Sequence, residues 1–229
     1  MKKKIVFIMN PISGTSSKAG IPHLIDSTLD KELFEYEIRM TERAGHASEI
    51  ATEAKENHVD IVVAVGGDGT VNEVARSIVH SDTALGILPC GSGNGLARHL
   101  LLPMNLKKSI EVINQCEIND LDYGVINDHP FFCTCGMGFD AFVSMKFAES
   151  GKRGPISYAE NILREGLKYK PETYTLEDET GTKQYKAFLI SCANASQYGN
   201  NAYIAPQASM SDGLMDVIIM EPFDVLEAP

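Results

Sequence analysis

No stretch of this 229-residue chain approaches the ~20 consecutive apolar residues that a membrane-spanning helix requires. Positive charge is also scarce: 20 Lys and Arg stand against 31 Asp and Glu, a net charge of −11. That balance argues against nucleic acid as a partner and against general attraction to anionic membranes. Cysteines number five, an odd count without a Cys-x-x-Cys pair, which points to a reducing compartment. Cys133 and Cys135 alternate along an expected strand, where packing explains them better than metal binding. The amino terminus, with Lys2, Lys3 and Lys4 ahead of a short apolar run, lacks the longer apolar core and small-residue cleavage site of a signal peptide. It reads instead as a first buried strand, and the chain reads as cytoplasmic. No internal repeat or low-complexity segment interrupts it.

What the chain does contain is concentrated in two glycine-rich loops. Ile61 to Val65 is an apolar, largely β-branched run, the signature of a strand buried on both faces. It breaks into Gly66-Gly67-Asp68-Gly69-Thr70 and resumes as Val71-Asn72-Glu73-Val74. The three glycines are expected to free the backbone for positive φ and to remove every Cβ that would hold a ligand away. Thr70 is the expected cap of a helix from Val71 to about Val79, whose first amides would point at the loop. Free amides, a helix dipole and little side-chain bulk favour phosphate. Asp68 fits beside phosphates if a Mg²⁺ lies between, or if it takes a proton from an attacking hydroxyl. A tight strand-to-helix turn with no ligand is the plainer explanation of the glycines.

The second loop follows the short apolar strand Ala84 to Pro89. It reads Cys90-Gly91-Ser92-Gly93-Asn94-Gly95 and leads into Leu96-Ala97-Arg98-His99-Leu100-Leu101. Asn94 or Ser92 is the expected helix cap. In an open parallel sheet, adjacent strands deliver such loops to the same carboxyl edge, where ligands bind.

These segments carry a resemblance. Asn10-Pro11, the run Gly66 to Val74, and Gly91-Ser92-Gly93-Asn94-Gly95-Leu96-Ala97-Arg98 resemble the catalytic-domain motifs of diacylglycerol kinase-type lipid kinases, a group that includes sphingosine, ceramide and bacterial lipid kinases. The resemblance runs from Lys4 to the end of the chain. It implies an ATP- and Mg²⁺-dependent kinase acting on a lipid hydroxyl, of diacylglycerol or sphingoid type, at a membrane surface. NAD kinases share Gly-Gly-Asp-Gly-Thr, so a NAD kinase-like enzyme is the alternative, as is a nucleotide-binding protein without catalysis. The resemblance adds Asn10, Thr41, Asn72 and Ser92 to the ATP site, beside Gly66, Gly67, Asp68, Gly69, Thr70, Val71, Glu73, Gly91 and Gly93. Thr41 is otherwise a strand-end residue and His46 a helix-start residue. Ser209-Met210-Ser211-Asp212-Gly213-Leu214 resembles the family's Asp-Gly-Leu segment, which implies a structural Mg²⁺ on Asp212 and the carbonyls of Ser209 and Leu214. The resembled bacterial enzymes carry a catalytic glutamate in an Asp-Gly-Glu motif beyond the point where this chain stops. Asp68 is therefore the in-range catalytic candidate, and the chain reads as truncated at its carboxyl end. The Gly91 to Gly95 pattern leans toward the sphingosine-kinase form.

The first half alternates strand and helix: strands over Lys4 to Met9 and Tyr36 to Met40, helices over Ile21 to Leu29, His46 to Asn57 and Leu106 to Gln115. This predicts an α/β, Rossmann-like parallel sheet over 1–121. Residues 122–229 are β-rich, with hairpins turning at Asn127-Asp128 and near Thr180-Gly181, and further strands over Ala187 to Ala193 and Leu214 to Met220. The resemblance makes this half a sandwich-like lipid-substrate domain. Between Lys146 and Lys170 six basic residues outnumber three acidic ones, with Gly151-Lys152-Arg153-Gly154-Pro155 ahead of a helix from about Ile156 to Lys168. That segment is either a peripheral membrane contact or an ordinary solvated face. A homodimer stays open.

Overall fold

The computed structural model describes residues 2–14, 17–150 and 169–222, without the side chains of Val143 and 146–150. The basic loop at Lys152-Arg153 and the helix expected over 156–168 lie outside the described residues.

Four parallel strands form the first sheet: β1 (Lys3–Met9), β2 (Phe34–Met40), β3 (Ile61–Gly66) and β4 (Ala84–Pro89), in the spatial order β2-β1-β3-β4. The central strands are apolar on both faces, so each face needs its own helical cover. Ile5, Phe7 and Met9 of β1 and Ile61, Val63 and Val65 of β3 pack with α1 (Ile21–Thr28) and α5 (Leu106–Gln115). Val6 and Ile8, with Val62 and Ala64, face α2 (His46–Glu56) and α3 (Asp68–Ile78). The period of two along each strand thus assigns the two helical layers. Helix α4 (Gly95–His99) follows β4.

From β1 the chain steps outward to β2, then crosses back over β1 to β3 and on to β4. The direction of travel reverses between β1 and β3. Such a switch point opens a crevice at the carboxyl ends of the two strands, and Asn10 and Gly66 stand at those ends.

The second half is antiparallel. Strands β5 (Gly124–Ile126) and β6 (His129–Phe131) form a hairpin whose turn residues Asn127 and Asp128 both take positive φ, 46° and 66°. The chain bends at Phe132-Cys133 to change sheets, so Cys133 falls between β6 and β7 (Thr134–Gly138) and only Cys135 lies on the strand. Strand β7 joins β10 (Leu189–Ala193) and β11 (Asp216–Met220) in the order β11-β10-β7, and β8 (Glu172–Asp178) pairs with β9 (Gly181–Ala187). A helix that the sequence reading did not anticipate, α6 (Phe139–Ser150), leaves the end of β7. Asp122 ties this half together: its amide donates to Met210 O at 2.7 Å, its carboxylate accepts from the Gly213 amide at 2.8 Å, and its carbonyl accepts from Asn194 Nδ2 at 2.8 Å.

Candidate functional site

Three loops meet at the switch point, held by backbone contacts that leave no room for side chains. The Asn10 amide donates to Val65 O at 3.0 Å, and Asn10 Nδ2 donates to Thr70 Oγ1 at 3.3 Å. The Asn10 loop is thereby fastened to the Gly66 to Thr70 loop. A Cβ on Gly66 would lie 2.4 Å from Thr70 Oγ1, and one on Gly91 would lie 2.4 Å from Gly67 Cα. The glycines therefore serve close packing, and the expectation of positive φ fails at Gly66, Gly67 and Gly69. Gly67 is extended, at φ −97° and ψ −171°. A Cβ on Gly69 would meet nothing within 4 Å, so that glycine faces the open cleft.

The helix after the loop also starts earlier than the sequence implied. Helix α3 begins at Asp68 with Gly67 as its N-cap, whereas a Thr70 cap and a Val71 start were expected. Thr70 is buried inside the first turn, where its hydroxyl serves Asn10 instead. The first amides of α3, at Asp68, Gly69 and Thr70, have no partners within the helix and open toward the cleft.

Asp68 does the capping that Asn94 or Ser92 was expected to do. Its Oδ2 accepts from the Asn94 amide at 2.8 Å and its Oδ1 from the Gly95 amide at 2.6 Å, at the start of α4. Asn94 takes a left-handed backbone, φ 54°, and turns its side chain inward to brace the loop. Its Oδ1 accepts from the Gly91 amide and its Nδ2 donates to the Gly91 carbonyl, both at 2.9 Å. Ser92 is exposed on the same loop.

Thr41, at the end of β2, is buried, and its amide donates to Met9 O at 2.9 Å. Glu73 reaches the same segment: its Oε1 accepts from the Gly45 amide at 3.2 Å, and its carbonyl accepts from Ser48 Oγ at 3.0 Å. Asn72 and Val71 lie on the first turns of α3, Asn72 partly exposed and Val71 in the core. His46 Nδ1 accepts from the Glu42 amide at 3.1 Å, a local turn contact. The structure thus brings Asn10, Thr41, Gly66 to Glu73 and Gly91 to Gly93 to one edge of the sheet.

The second half forms a wall of this cleft. The Asn200 amide donates to Gly93 O at 3.2 Å, and Arg98 Nε donates to the same carbonyl at 3.1 Å. His99 Nδ1 accepts from the Ser196 amide at 3.1 Å and lies 3.0 Å from Ser196 Oγ. Burial holds the His99 pKa below its ordinary value. Cys133 Sγ donates to Gln197 O at 3.1 Å. Burial, aided by the charge of Asp68, pushes the Cys133 thiol up to about 12, so it stays protonated and packs rather than reacts.

Beyond Tyr198 lies a pocket of about 270 Å³ lined by Thr134, Gly136, Asp140, Ala141, Ser144 and Tyr198. Asp140 Oδ2 accepts from Tyr198 Oη at 3.1 Å, and burial raises the Asp140 carboxyl above the usual carboxylate range. Sequence reading missed both residues. The available signal was a glycine-flanked strand end, Gly136-Met137-Gly138, running straight into Phe139-Asp140.

The Ser209 to Leu214 segment precedes β11 and is tied to Asp122. Asp212 Oδ1 accepts from the Leu214 amide at 3.0 Å, Gly213 takes φ 72°, and its amide reaches Asp122. One carboxylate and neighbouring carbonyls are the oxygen donors that a hard cation takes. Among the described residues no group of three or more His, Cys, Asp and Glu side chains converges.

The sequence profile of the diacylglycerol kinase catalytic domain matches residues 4–126. This chain belongs to that family. Residues 133–228 match the YegS C-terminal NAD kinase beta sandwich-like domain. A probable YegS-like lipid kinase from Chromohalobacter salexigens is 32% identical over 195 residues, which cover 82% of this chain and 63% of that protein. The chain therefore spans less than two thirds of that relative. A Staphylococcus saprophyticus diacylglycerol kinase is 29% identical over 232 residues, covering 99% of this chain and 76% of the relative. A crystal structure of a diacylglycerol kinase from Bacillus anthracis superposes with a TM-score of 0.73 at 21% identity, over 96% of this chain and 76% of that one. The likeness to that structure is one of fold. Among the described residues no helix is long and apolar enough to cross a membrane.

Proposed function

We propose that this chain carries the core of an ATP-dependent lipid kinase that transfers a phosphoryl group to a lipid hydroxyl. The observation that supports it most is the seating of Asp68 between two glycine loops at the switch point, with the first amides of α3 beside it. Phosphoryl transfer demands positioning and electrostatic stabilisation more than covalent chemistry. Backbone amides of Gly66 to Thr70 hold the nucleotide phosphates, and Asn10, Thr41, Asn72, Glu73 and the Gly91 to Gly93 loop shape the rest of the nucleotide site. A Mg²⁺ arriving with the nucleotide would supply positive charge against the phosphates.

Asp68 is the group in this chain that faces the attacking hydroxyl. Two amides already engage its oxygens, yet a carboxylate offers about four lone-pair sites, which leaves acceptors for a substrate proton. The pocket of Asp140 and Tyr198, on the far side of Tyr198 from the loops, receives the acceptor lipid. A second Mg²⁺, bound by Asp212 with the carbonyls of Ser209 and Leu214, would tie down the turn before β11. Residues 1–121 form the nucleotide domain and 122–229 the acceptor domain, and the enzyme works in the cytoplasm at a membrane surface.

A NAD kinase-like activity is the competing reading, favoured by the description of the domain matching 133–228. Both are tested by following label from γ-labelled ATP with Mg²⁺ into either a total lipid extract or NAD. Labelled lipid that disappears with Asp68→Asn supports the lipid kinase. Labelled NADP replaces it with the alternative, and label in neither overturns both for this chain.

A further inference from the structure

Lys18 is the one ionisable side chain among the described residues that is buried, at 7% exposure. Its ammonium donates to the carbonyl of Ser13, a neutral acceptor. No described carboxylate lies within ion-pair distance of it. An ammonium drawn out of water toward one carbonyl is costly. Its position adds to that cost. The Lys18 carbonyl accepts from the Ile21 amide at 3.0 Å as α1 begins, so the residue itself stands at the positive end of a helix dipole. Gly20, the N-cap, offers no side-chain acceptor there. An anion is the occupant that would convert these costs into attraction.

The surroundings say which anion. Ser13, the acceptor for Lys18, is itself bonded to Asn10: its hydroxyl donates to the Asn10 carbonyl at 3.1 Å. Gly14, at φ 66°, presses so closely on the second glycine loop that a Cβ there would stand 2.2 Å from Cys90 O. Lys18 is also near enough for its charge to oppose the rise that burial imposes on the Cys90 thiol. The ammonium therefore lies beside the seam between the Asn10 to Gly14 loop and the Cys90 to Gly95 loop, at the edge of the proposed phosphate cleft.

We infer that Lys18 is a phosphate-binding residue, its buried ammonium the charge partner of a phosphate group held between those two loops. This rests on the nucleotide reading of the same cleft, and the test separates the two. Thermal unfolding of the full chain is measured alone, with pyrophosphate, with ATP and Mg²⁺, and with adenosine, for wild type and Lys18→Met. The methionine keeps the apolar stem and removes the charge. The expected result is a ligand-free midpoint for Lys18→Met at or above wild type, because an unpaired buried charge has gone. The dissociation constants of pyrophosphate and ATP should rise at least about tenfold, with adenosine unaffected. Lys18→Arg, which retains the charge, should keep most of the pyrophosphate effect, and it carries the comparison with Lys18→Gln if the methionine variant does not fold. Equal stabilisation of both proteins by pyrophosphate, or none of wild type, overturns the inference. A lowered ligand-free midpoint with unchanged affinities would do the same by making Lys18 structural. Pyrophosphate binding that depends on Lys18 without any ATP binding would keep Lys18 as a phosphate site and remove the nucleotide reading.

Discussion

Asp68 Oδ1 lies 2.6 Å from the amide nitrogen of Gly95, which sits 27 residues further along the chain. With Oδ2 on the neighbouring Asn94 amide, the carboxylate is the clip that keeps the second glycine loop against the first. An asparagine at position 68 keeps one acceptor and turns a donor toward the other N–H. The expected loss is roughly 1–3 kcal/mol, the cost of an unsatisfied partner of a charge-assisted bond. Asp68→Asn should remain folded, with a midpoint lower by about 2–4 °C for each kcal/mol, and phosphoryl transfer should nearly vanish. Calorimetry and label transfer on the same preparation check both parts. Transfer at a near wild-type rate would remove Asp68 from the chemistry.

Gly66 and Gly69 lie three positions apart and should respond in opposite ways to alanine. At Gly66 the new methyl would collide with Thr70, so Gly66→Ala should lower stability by about 1–3 kcal/mol, as overpacking does. At Gly69, inside the first turn of α3, the methyl meets nothing within 4 Å, and alanine should raise stability by about 0.4–1 kcal/mol. That same methyl projects over the amides of the cleft, so nucleotide affinity should fall even as stability rises. Denaturant unfolding with and without ATP distinguishes the two. Unchanged ATP affinity in Gly69→Ala would mean that the phosphates do not approach this turn.

His99 predicts a pH dependence. Its Nδ1 accepts the Ser196 N–H, so the folded protein needs the unprotonated nitrogen, and burial lowers its pKa below the ordinary 6.5. The unfolded chain then binds a proton at a pH where the folded one does not. Stability from this group is present above about pH 6.5, falls as pH drops below it, and levels off once the folded form also protonates. The midpoint difference between wild type and His99→Asn should therefore shrink from pH 7.5 toward pH 5. A difference constant over that range would show that His99 does not titrate against Ser196.

The parts of the fold that read well from sequence are those where one local rule acts alone. Helix α5 begins and ends where expected, at Leu106 and Gln115, because Asn105 caps it through the Lys108 amide. The β5–β6 turn follows from Asn127 and Asp128, whose short side chains tolerate positive φ. The errors fall where distant segments decide. Thr70 looks like a cap until Asn10 claims its hydroxyl, and Asn94 looks like one until Asp68 supplies the carboxylate. The glycines point to the site, yet only the approach of Gly67 to Gly91 gives the reason for them. Lys18 carries no periodic or motif-level signal, and Asp140 only the glycine-flanked strand end that precedes it. Their importance is a matter of burial, which depends on strands and loops far away in sequence.

Asp122 has a bearing on how the molecule is made. Its carbonyl and carboxylate engage Asn194 and Gly213, 72 and 91 residues downstream, whereas the clip between Asp68 and its two amides spans only 26 and 27. Short-range contacts close early and long-range ones late, because loop-closure entropy precedes any gain from contact. At a synthesis rate of about 5–20 residues per second, the partners of Asp122 arrive roughly 4–18 s after it. During that interval the parallel sheet and its glycine loops are complete in sequence and the wall that faces them is not. The half already made must keep that face bare until then, and its excess of Asp and Glu over Lys and Arg works against association with neighbouring chains in the meantime.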